Sequence, residues 1–301
     1  MPKKNLFASV MTYAAPSSNY RGESEENRTI LQKISKNGAE YTVISPESMR
    51  NALREILARK GLPTNRSRIN DADQLTVEFK DFPNPEQFAD DFFFGYLVAI
   101  SNDIKAARAK NKAFKPKRDS ILRMNLAVAL APYRFDATFH QSPINSEKSP
   151  WKNASTSALL HREISYTAYQ YPFALSMADC LEHKSGKAWT MSLLEAIGEL
   201  SNVAGGHARS FYEMAPRSIV ARLTPSLVAG FNTYGFDESG QFPELERINK
   251  NDLPGAEFWV GGEIARHMQE TLKKELLAQG VHFFDSPQKL LKELAVVATE
   301  E

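Results

Sequence analysis

Apolar and polar positions follow strand-like spacing in some parts of the chain and helix-like spacing in others. The apolar run Leu6–Ala15 predicts a first buried strand. Shorter apolar or alternating segments predict further strands at 29–34, 41–44, 123–130, 164–171 and 218–222. Apolar residues at helical spacing predict helices at 46–60, 191–203 and 263–277. Two regions interrupt this order: a charged insertion at about 62–118, with one aromatic helix near 85–99, and a polar loop at 132–157.

The helix at 46–60 has the clearest boundaries. Ser45 is placed to cap its N-terminus, Pro46 takes the first helical position, and Gly61 follows its end. Arg50 and Arg54 are four residues apart, so they share one face, which we expect to be exposed. The apolar residues that we expect in the core are Met49, Leu53, Ile56 and Leu57.

Strands separated by helices, with insertions placed in loops, indicate an α+β fold. The order of the elements fits a β-α-β-β-α-β, or ferredoxin-like, core. The RNA-recognition motif shares this core, and its sheet is a platform for single-stranded bases. Fold alone does not decide function, so the chemistry of particular residues has to be considered separately.

The composition is that of an ordinary folded protein. Of 301 residues, 42% are hydrophobic and 24% are charged, which excludes global disorder and collagen. Cys180 is the single cysteine, so the chain forms no internal disulfide and no thiolate cluster. Lys3 and Lys4 before an apolar run loosely resemble a signal peptide, but Ser9 and Thr12 weaken that interpretation. We interpret the segment as a strand of a cytoplasmic protein.

Charge is balanced overall and segregated locally. The net charge is +1, yet residues 105–123 hold eight basic residues and one acidic residue, Asp119. An acidic stretch at 71–91 precedes them, and another basic stretch spans 50–68. Basic blocks attract polyphosphate because each bound Lys or Arg releases condensed counterions. The alternatives are a solvated face, a loop folded onto the acidic stretch, or head-to-tail docking of copies into a filament.

Catalytic motifs are scarce. The sequence has no nucleophile elbow, P-loop, dinucleotide fingerprint or H-E-x-x-H motif, and its six histidines show no metal-ligand spacing. Asp119 and Asp136 are isolated candidates for acid–base or metal chemistry. We therefore predict no cofactor and no metal.

The segment Gly205–Arg209 is a candidate anion site. Its two glycines permit a tight turn whose N–H groups face an anion, and Arg209 adds a charge-assisted bond. The alternative is an ordinary helix C-cap.

Aromatic residues also stand near basic ones, and this pattern holds single strands without sequence preference. The pairs are Tyr20 with Arg21, Phe114 with Lys115, Tyr133 with Arg134, and Phe211 with Arg209.

Several segments together resemble one known family. They are the loop Asn19–Glu23, the strand and helix Val43–Arg54, the segments Leu160–Ile164 and Tyr169–Phe173, and the loop Ala204–Ser210. Over residues 5–225 the chain resembles the DevR branch of the Cas-seven family. These CRISPR-associated proteins are the backbone subunits that repeat along the type I surveillance complex called Cascade. Residues beyond 225 do not match the family.

The resemblance implies a modified RNA-recognition-motif palm, with fingers at 62–118 and a thumb candidate at 132–157; the segment 225–301 has no assigned role. Several copies would polymerise along the guide RNA (crRNA) and assist its pairing with target DNA. Other partners would be the end-capping, large and repeat-processing subunits of Cascade. Type I backbone subunits are not nucleases. The alternatives are a metal-dependent ribonuclease of the related type III kind, with Asp119 as its loop aspartate, and a stand-alone RNA-binding regulator.

Particular residues correspond to the family's guide-binding segments. The first helix supplies Ser48, Arg50, Asn51 and Arg54, and its two arginines are the best candidates for phosphate ligands. The first loop supplies Asn19 and Arg21, and the glycine loop supplies Gly205, Gly206, His207 and Arg209. Charge, more than motif, adds Lys115, Lys117 and Arg118, which would contact the guide or the target DNA.

Overall fold

A large, mostly antiparallel sheet forms the centre of the computed structural model, which describes residues 4–17, 20–25, 28–70, 75–141, 159–203 and 213–300. The strands, in chain order, are β1 (Asn5–Met11), β2 (Ala15–Ser17), β3 (Tyr20–Glu25), β4 (Arg28–Leu31), β5 (Lys33–Lys36), β6 (Ala39–Ile44), β7 (Arg66–Asn70), β8 (Leu75–Phe79), β9 (Tyr96–Leu97), β10 (Lys117–Arg118), β11 (Arg123–Met124), β12 (Ala127–Ala129), β13 (Ala137–Gln141), β14 (Leu159–Glu163), β15 (Ser165–Thr167), β16 (Tyr169–Ser176), β17 (Ser218–Thr224), β18 (Phe258–Gly262) and β19 (His282–Phe284). The helices are α1 (Pro46–Arg59), α2 (Ala89–Phe94), α3 (Ser101–Lys110), α4 (Met177–Cys180), α5 (Gly186–Gly198), α6 (Glu246–Asn249), α7 (Glu263–His267), α8 (Glu270–Ala278) and α9 (Pro287–Thr299).

The predicted N-terminal strand is the middle of the central sheet. The strand order is β19-β18-β17-β1-β16-β12-β6-β5, and β11 also pairs with β16. β1 runs antiparallel to both of its neighbours, β16 and β17. Leu6, Ala8 and Val10 are fully buried, as expected for a strand between two others. A strand is therefore confirmed here, although it ends at Met11 rather than at Ala15.

Helices α1, α5 and α9 cover the sheet and form the main core with it. Leu53 of α1, Leu193 of α5 and Leu290 of α9 belong to one buried apolar cluster with Leu6 and Tyr171 of the sheet. Helix α5 packs against both α1 and α9. The fold is thus a mixed one, with a central, mostly antiparallel sheet and several helices, and the predicted α+β class is confirmed at this level. Among the described residues, no helix combines the length and the apolar character needed to span a bilayer.

Helix α1 begins where the sequence predicts. The Ser48 N–H donates to Ser45 Oγ at 3.2 Å, and Pro46 is the first helical residue. The helix ends at Arg59, and Gly61 follows in a left-handed conformation with φ of +84°. The predicted core face is confirmed, because Met49, Leu53, Ile56 and Leu57 are all buried.

Three predicted strands each prove to be two. The chain crosses between sheets within 29–34, where β4 joins a four-stranded sheet (β13-β14-β4-β3) and β5 joins the central one. It does the same within 164–171, where β15 pairs with β2 and β16 enters the central sheet. Within 123–130, β11 and β12 both pair with β16, and the Asn125 side chain interrupts them by accepting from the Leu126 N–H at 2.8 Å.

The predicted helix bounds need correction at three places. The aromatic helix near 85–99 is only α2, because Gly95 turns the chain with φ of +64° and Tyr96 then enters β9. The helix at 191–203 is α5, which begins earlier and ends at Gly198. The helix at 263–277 is α7 and α8, since Met268 between them has extended backbone.

Residues 225–300 extend the central sheet. β18 pairs antiparallel with β17, and β19 pairs in parallel with β18. A second apolar cluster forms on this side from Val220 of β17 and from later residues such as Phe231, Phe258 and Leu276. Helix α9 completes the main core, with Leu290, Leu291 and Leu294 buried. The C-terminal quarter of the chain is therefore part of the same packed structure.

Candidate nucleic-acid interface

A groove of about 550 Å³ lies between helix α1 and the insertion at 62–118. Four α1 residues line one wall, namely Glu47, Arg50, Asn51 and Arg54. The other wall includes Arg66 of β7 together with Lys117 and Arg118 of β10. The groove thus brings together residues that were predicted as RNA-binding on two different grounds, the motif on α1 and the basic run of the insertion.

Gly95 allows the strands of the insertion to come close together. A Cβ atom at this position would lie 2.3 Å from the Arg118 carbonyl oxygen, and φ is +64°. Tyr96 and Leu97 then pair with Arg118 and Lys117 in a short antiparallel ladder. A glycine is required here, and this turn holds the two basic residues of β10 beside the groove.

Arg50 lies half-buried on the groove side of α1. Burial is the main cause that lowers the pKa of its guanidinium, and Arg123 lowers it further, while Glu47 opposes the shift. Its Nε is buried and has no hydrogen-bond acceptor among the described residues. A buried donor without an acceptor is costly, and the rest of this guanidinium lines the groove.

Arg54 is buried, which corrects the expectation that it shares an exposed face with Arg50. Its side chain donates a short hydrogen bond from Nη1 to Asn51 Oδ1, and its Nε lies 3.9 Å from Asp90 Oδ2. The Phe94 ring lies below the guanidinium, with 4.9 Å from Cζ to the ring centroid. Burial, assisted by Arg66, lowers the pKa of Arg54 to about 9 in spite of the Asp90 charge. The insertion covers this side of the helix, so a common helix face does not mean common exposure.

Asp90 and Asp91, both fully buried, fix the insertion below α1. Asp90 accepts from the backbone N–H groups of Asn65 at 2.8 Å and Arg66 at 3.0 Å. Asp91 accepts from the Asn65 side chain at 2.8 Å and from the Asn84 N–H at 2.9 Å, and burial raises the pKa of its carboxyl. The sequence left open that basic residues fold onto the acidic stretch at 71–91. Arg54 and Arg66 do so, because they lie beside Asp90 and Asp91, but the basic run as a whole does not.

On the insertion wall, two arginines lie against aromatic rings and Lys117 is exposed to solvent. Arg66 donates from Nη2 to the Gly95 carbonyl at 2.5 Å, and its guanidinium lies 4.6 Å from the Phe79 ring centroid. Arg118 lies 5.4 Å from the Phe92 ring centroid. Within the described part of the chain, the buried Nε atoms of Arg54, Arg66 and Arg118 lack hydrogen-bond acceptors, as does that of Arg50. Four arginines whose Nε atoms are buried therefore line one groove.

The other predicted residues lie elsewhere or outside the described residues. Ser48 stands at the start of α1, where its hydroxyl lies 3.0 Å from Ser45 Oγ. Lys115 is exposed and lines a neighbouring depression, which Lys117 and Arg118 also border. The backbone of Arg21 belongs to β3, but its side chain is outside the described part. The predicted residues that lie outside the described residues altogether are Asn19, Gly205, Gly206, His207 and Arg209.

Sequence reasoning missed the residues that support the groove. Arg66 belonged to a basic stretch that was noticed, but nothing in its spacing connects it to α1. Asp90 and Phe94 lie in the aromatic helix, and only the folded chain brings them below Arg54. In the opposite sense, Phe114 is buried and stacks on Tyr96 with ring centroids 6.3 Å apart, so it is not free to stack on a base.

Chemical groups suited to catalysis are dispersed. Within the described ranges, no three His, Cys, Asp or Glu side chains are close enough together to hold a metal ion. Cys180 is buried, and burial raises the pKa of its thiol to about 12, so it is a core residue rather than a nucleophile. Asp119 is exposed at the groove rim, where it lies 3.4 Å from Lys117 Nζ.

One curated relative is similar over nearly the whole chain. It is the CRISPR-associated protein Cas7/Cst2/DevR of Myxococcus xanthus (strain DK1622), 28% identical over 292 residues, which cover 92% of this chain and 93% of that protein. The chain is a homologue of this Cas7-type protein. The resemblance to the DevR branch is thereby confirmed. No family model matches the chain.

Solved structures share the fold of this Cas7 homologue. One is a chain of a "CRISPR RNA-guided surveillance complex, pre-nicking", with a TM-score of 0.55 and 14% identity, covering 98% of this chain and 100% of that one. Another, from a "CRISPR RNA-guided surveillance complex", has a TM-score of 0.53 and 12% identity, covering 98% and 99%. At these identities the likeness shows a common fold over nearly the whole chain.

Proposed function

We propose that this chain is a guide-RNA-binding backbone subunit of a type I CRISPR surveillance complex, with no catalytic activity of its own. Several copies polymerise along the guide and support its pairing with target DNA. The observation that carries the proposal is the groove on which Arg50, Arg54, Arg66, Lys117 and Arg118 converge. The homology to a CRISPR-associated Cas7-type protein supports it independently.

The core is proposed to be a ferredoxin-like palm of the RNA-recognition-motif type. The strand order β17-β1-β16-β12, all antiparallel, is that of a β-α-β-β-α-β unit when α1 and α5 are the two helices. The insertion at 62–118 would act as fingers, and the loop at 132–157 remains the thumb candidate. Residues 225–301 would strengthen the palm by extending its sheet beyond β17.

The groove suits phosphates better than bases. Guanidinium groups form paired, charge-assisted hydrogen bonds to phosphate oxygens, and here several are held in place before any ligand arrives. In this proposal Arg50, Lys117 and Arg118 contact the guide backbone, while Arg54 and Arg66 form the charged floor. Contacts of this kind carry no sequence preference, which is appropriate for a subunit that must hold any guide.

Sequencing of copurified RNA tests the proposal. The chain is expressed with a CRISPR array and its neighbouring genes, in the parent form and as Arg50→Ala. The parent should retain a discrete RNA with repeat-derived ends around one spacer, and Arg50→Ala should retain less of it. Arg59→Ala is the matched control, because Arg59 is exposed in the last turn of the same helix.

The rival functions give different results. Heterogeneous cellular RNA on a chain without partner proteins would indicate a stand-alone RNA-binding regulator. Mg²⁺-dependent cleavage of complementary RNA that is lost in Asp119→Ala would indicate a nuclease of the type III kind. Absence of copurified RNA in the parent would refute the guide-binding role.

A further inference from the structure

Two apolar side chains project into solvent from the loop that follows β17. Leu227 is 88% exposed and Val228 is 65% exposed. These two residues are called the knob below. Adjacent large apolar side chains with so little cover mark a binding surface more often than a single exposed residue does.

The backbone on both sides of the knob is fixed. Before it, Asn5 Nδ2 donates to the Ser226 carbonyl at 3.0 Å. After it, Arg222 Nη1 donates to the Ala229 carbonyl at 2.7 Å, and Arg222 is itself held by Glu257, which accepts from its Nε at 2.7 Å. A loop that is already ordered loses little further entropy on binding, so the knob is preorganised for contact with another surface.

An apolar groove of about 580 Å³ lies on the insertion. Its apolar lining consists of Phe79, Phe82, Pro83 and Leu97–Ile100, and its charged lining residues are Lys80, Asp81 and Asp103. Leu97 and Ile100 are exposed by 66% and 63%. Phe79 and Leu97 also line the groove at α1, whereas Ile100 lines the apolar groove and not the one at α1. The insertion therefore presents an open apolar surface of the same chemistry as the knob.

The knob and the apolar groove belong to different parts of the chain. The insertion follows β6 and α1, whereas the knob follows β17, and β1, β16 and β12 lie between β17 and β6 in the central sheet. Both surfaces are exposed, so neither covers the other within one copy. A contact that joins two different patches of identical chains is heterologous, and it produces an open helical assembly when the rotation between copies does not close.

Charge favours a second copy of this chain as the occupant of the groove. The segment 225–257, which contains the knob, has six acidic and two basic residues, whereas 105–123 of the insertion has eight basic residues and one acidic residue. One of these basic residues, Lys110, lies with its Nζ 4.9 Å from the ring centroid of Phe82 in the groove. Opposite charges steer two surfaces together and fix their orientation. The acidic segment around the knob would repel the phosphates of a nucleic acid, so the knob suits a basic protein surface.

We infer that the knob of one copy docks in the apolar groove of the next copy and that this contact joins successive subunits. Leu227 and Val228 would then exchange solvent for the side chains around Ile100, and the acidic and basic segments would face one another. The inference rests on the proposed function, in which several copies polymerise along the guide, and it names the two surfaces that meet.

Disulfide trapping tests the contact directly. The natural Cys180 is buried, so introduced thiols are the accessible ones. The double variant Leu227→Cys/Ile100→Cys is assembled with a guide RNA, oxidised with oxidised glutathione, and separated on a denaturing gel without reductant. We expect a ladder of three or more linked chains, because each copy contributes one thiol to each neighbour.

Matched variants make the ladder specific. Each single cysteine variant should stay unlinked, because a heterologous contact brings together two different positions. Leu227→Cys/Lys112→Cys should also stay unlinked, because Lys112 is an exposed residue of the insertion that does not line the groove. Linked dimers from Leu227→Cys alone would overturn the inference in favour of a two-fold contact between knobs. A disulfide from Leu227→Cys to another protein of the complex would overturn it in favour of a different partner.

A charge exchange across the contact gives an independent readout. Leu227→Asp and Ile100→Lys should each weaken association between copies about tenfold, as expected when a buried apolar contact at an interface is lost. The double variant should recover part of this loss, because the two new charges would face one another. Val297→Asp is the control, since Val297 is an exposed apolar residue of α9. Mass photometry over a protein concentration series measures the assembly, and a double variant no better than the single variants would contradict the contact.

Failure of this inference is separable from failure of the proposed function. A parent that copurifies with a guide, while the double cysteine variant on the same guide gives no ladder, refutes only the docking of the knob. A parent that copurifies with no guide refutes the guide-binding role. Oxidation of the double cysteine variant at high protein concentration without RNA then still tests the contact between copies.

Discussion

The cations on the two walls of the groove lie in different surroundings. On the α1 wall, the Arg54 side chain is 9% exposed and is fixed by Asn51, Asp90 and Phe94. On the insertion wall, the Lys117 side chain is 68% exposed, and so is that of Asp119, with which it forms an ion pair, at 70%. A buried cation is positioned before a ligand arrives, whereas an exposed one acts mainly through long-range, salt-screened attraction.

Residue chemistry fits this division. The planar guanidinium is weakly hydrated, stacks on rings and donates in fixed directions, so burial beside Phe94 suits Arg54. An ammonium group is strongly hydrated on a flexible stem, and Lys117 accordingly remains in solvent. Under the proposed function, we expect the α1 wall to determine how long a phosphate stays bound and the insertion wall to determine how quickly it binds.

The largest expected effect is on the fixed wall. Arg54→Ala leaves the fully buried Asp90 without its guanidinium, and breaking a buried charge pair costs about 3 kcal/mol. The free energy of unfolding, measured by urea denaturation, should fall by that order. In the double variant Arg54→Ala/Asp90→Asn, the buried charge of Asp90 is removed as well. Its free energy of unfolding should therefore fall by less than the sum of the decreases in the two single variants.

The control for Arg54 lies one turn further along the helix. Arg59→Ala, at an exposed position, should change the free energy of unfolding by less than about 0.5 kcal/mol. An Arg54→Ala variant as stable as Arg59→Ala would show that the insertion is not held through this pair, and the contrast between the walls would be lost.

The variant Arg50→Ala should weaken RNA binding without changing the free energy of unfolding. Its half-buried side chain has no acceptor for Nε among the described residues, so Arg50→Ala leaves no buried charge unpaired. We expect unchanged unfolding and about a tenfold loss of affinity for single-stranded RNA, because a hydrogen bond to a charged group contributes roughly 1.5–3 kcal/mol. The slope of log affinity against log salt should also decrease by about 0.7, as for one lost phosphate contact. Fluorescence anisotropy over a salt series measures both, and an unchanged slope would remove Arg50 from the phosphate site.

Local signals predicted most strands and helices of the central sheet and its core, although not all of their bounds. The cap at Ser45, the first-turn Pro46 and the apolar spacing on α1 all act within a few residues, so the sequence reveals them directly. The central strand β1 was evident because it is apolar on both faces. Strand breaks such as the one between β4 and β5 were missed, because they depend on which sheet each half joins and not on hydrophobicity.

The site was predictable only in part, for a related reason. The motif on α1 and the charge run near Lys117 were each noticed, but their meeting at one groove depends on the path of the whole insertion. The burial of Arg54 depends on Asp90 and Phe94, which are 36 and 40 residues away along the chain. A helical wheel predicts which side chains are neighbours, and it contains no information about the element that covers them.

The smallest expected effect is on the open wall. Lys117→Ala should weaken RNA binding less than threefold, mainly through a slower association rate at low salt, because solvent and ions screen an exposed charge. Asp119→Ala removes the neighbouring negative charge, which lies 3.4 Å from Lys117 Nζ, and should change the association rate in the opposite direction. Stopped-flow measurements at two salt concentrations compare both variants with Lys112→Ala, an exposed lysine of the same segment that does not line the groove. If Lys117→Ala instead accelerated dissociation as strongly as Arg50→Ala, the open wall would also hold the phosphate in place, and the two walls would form one binding surface with shared roles.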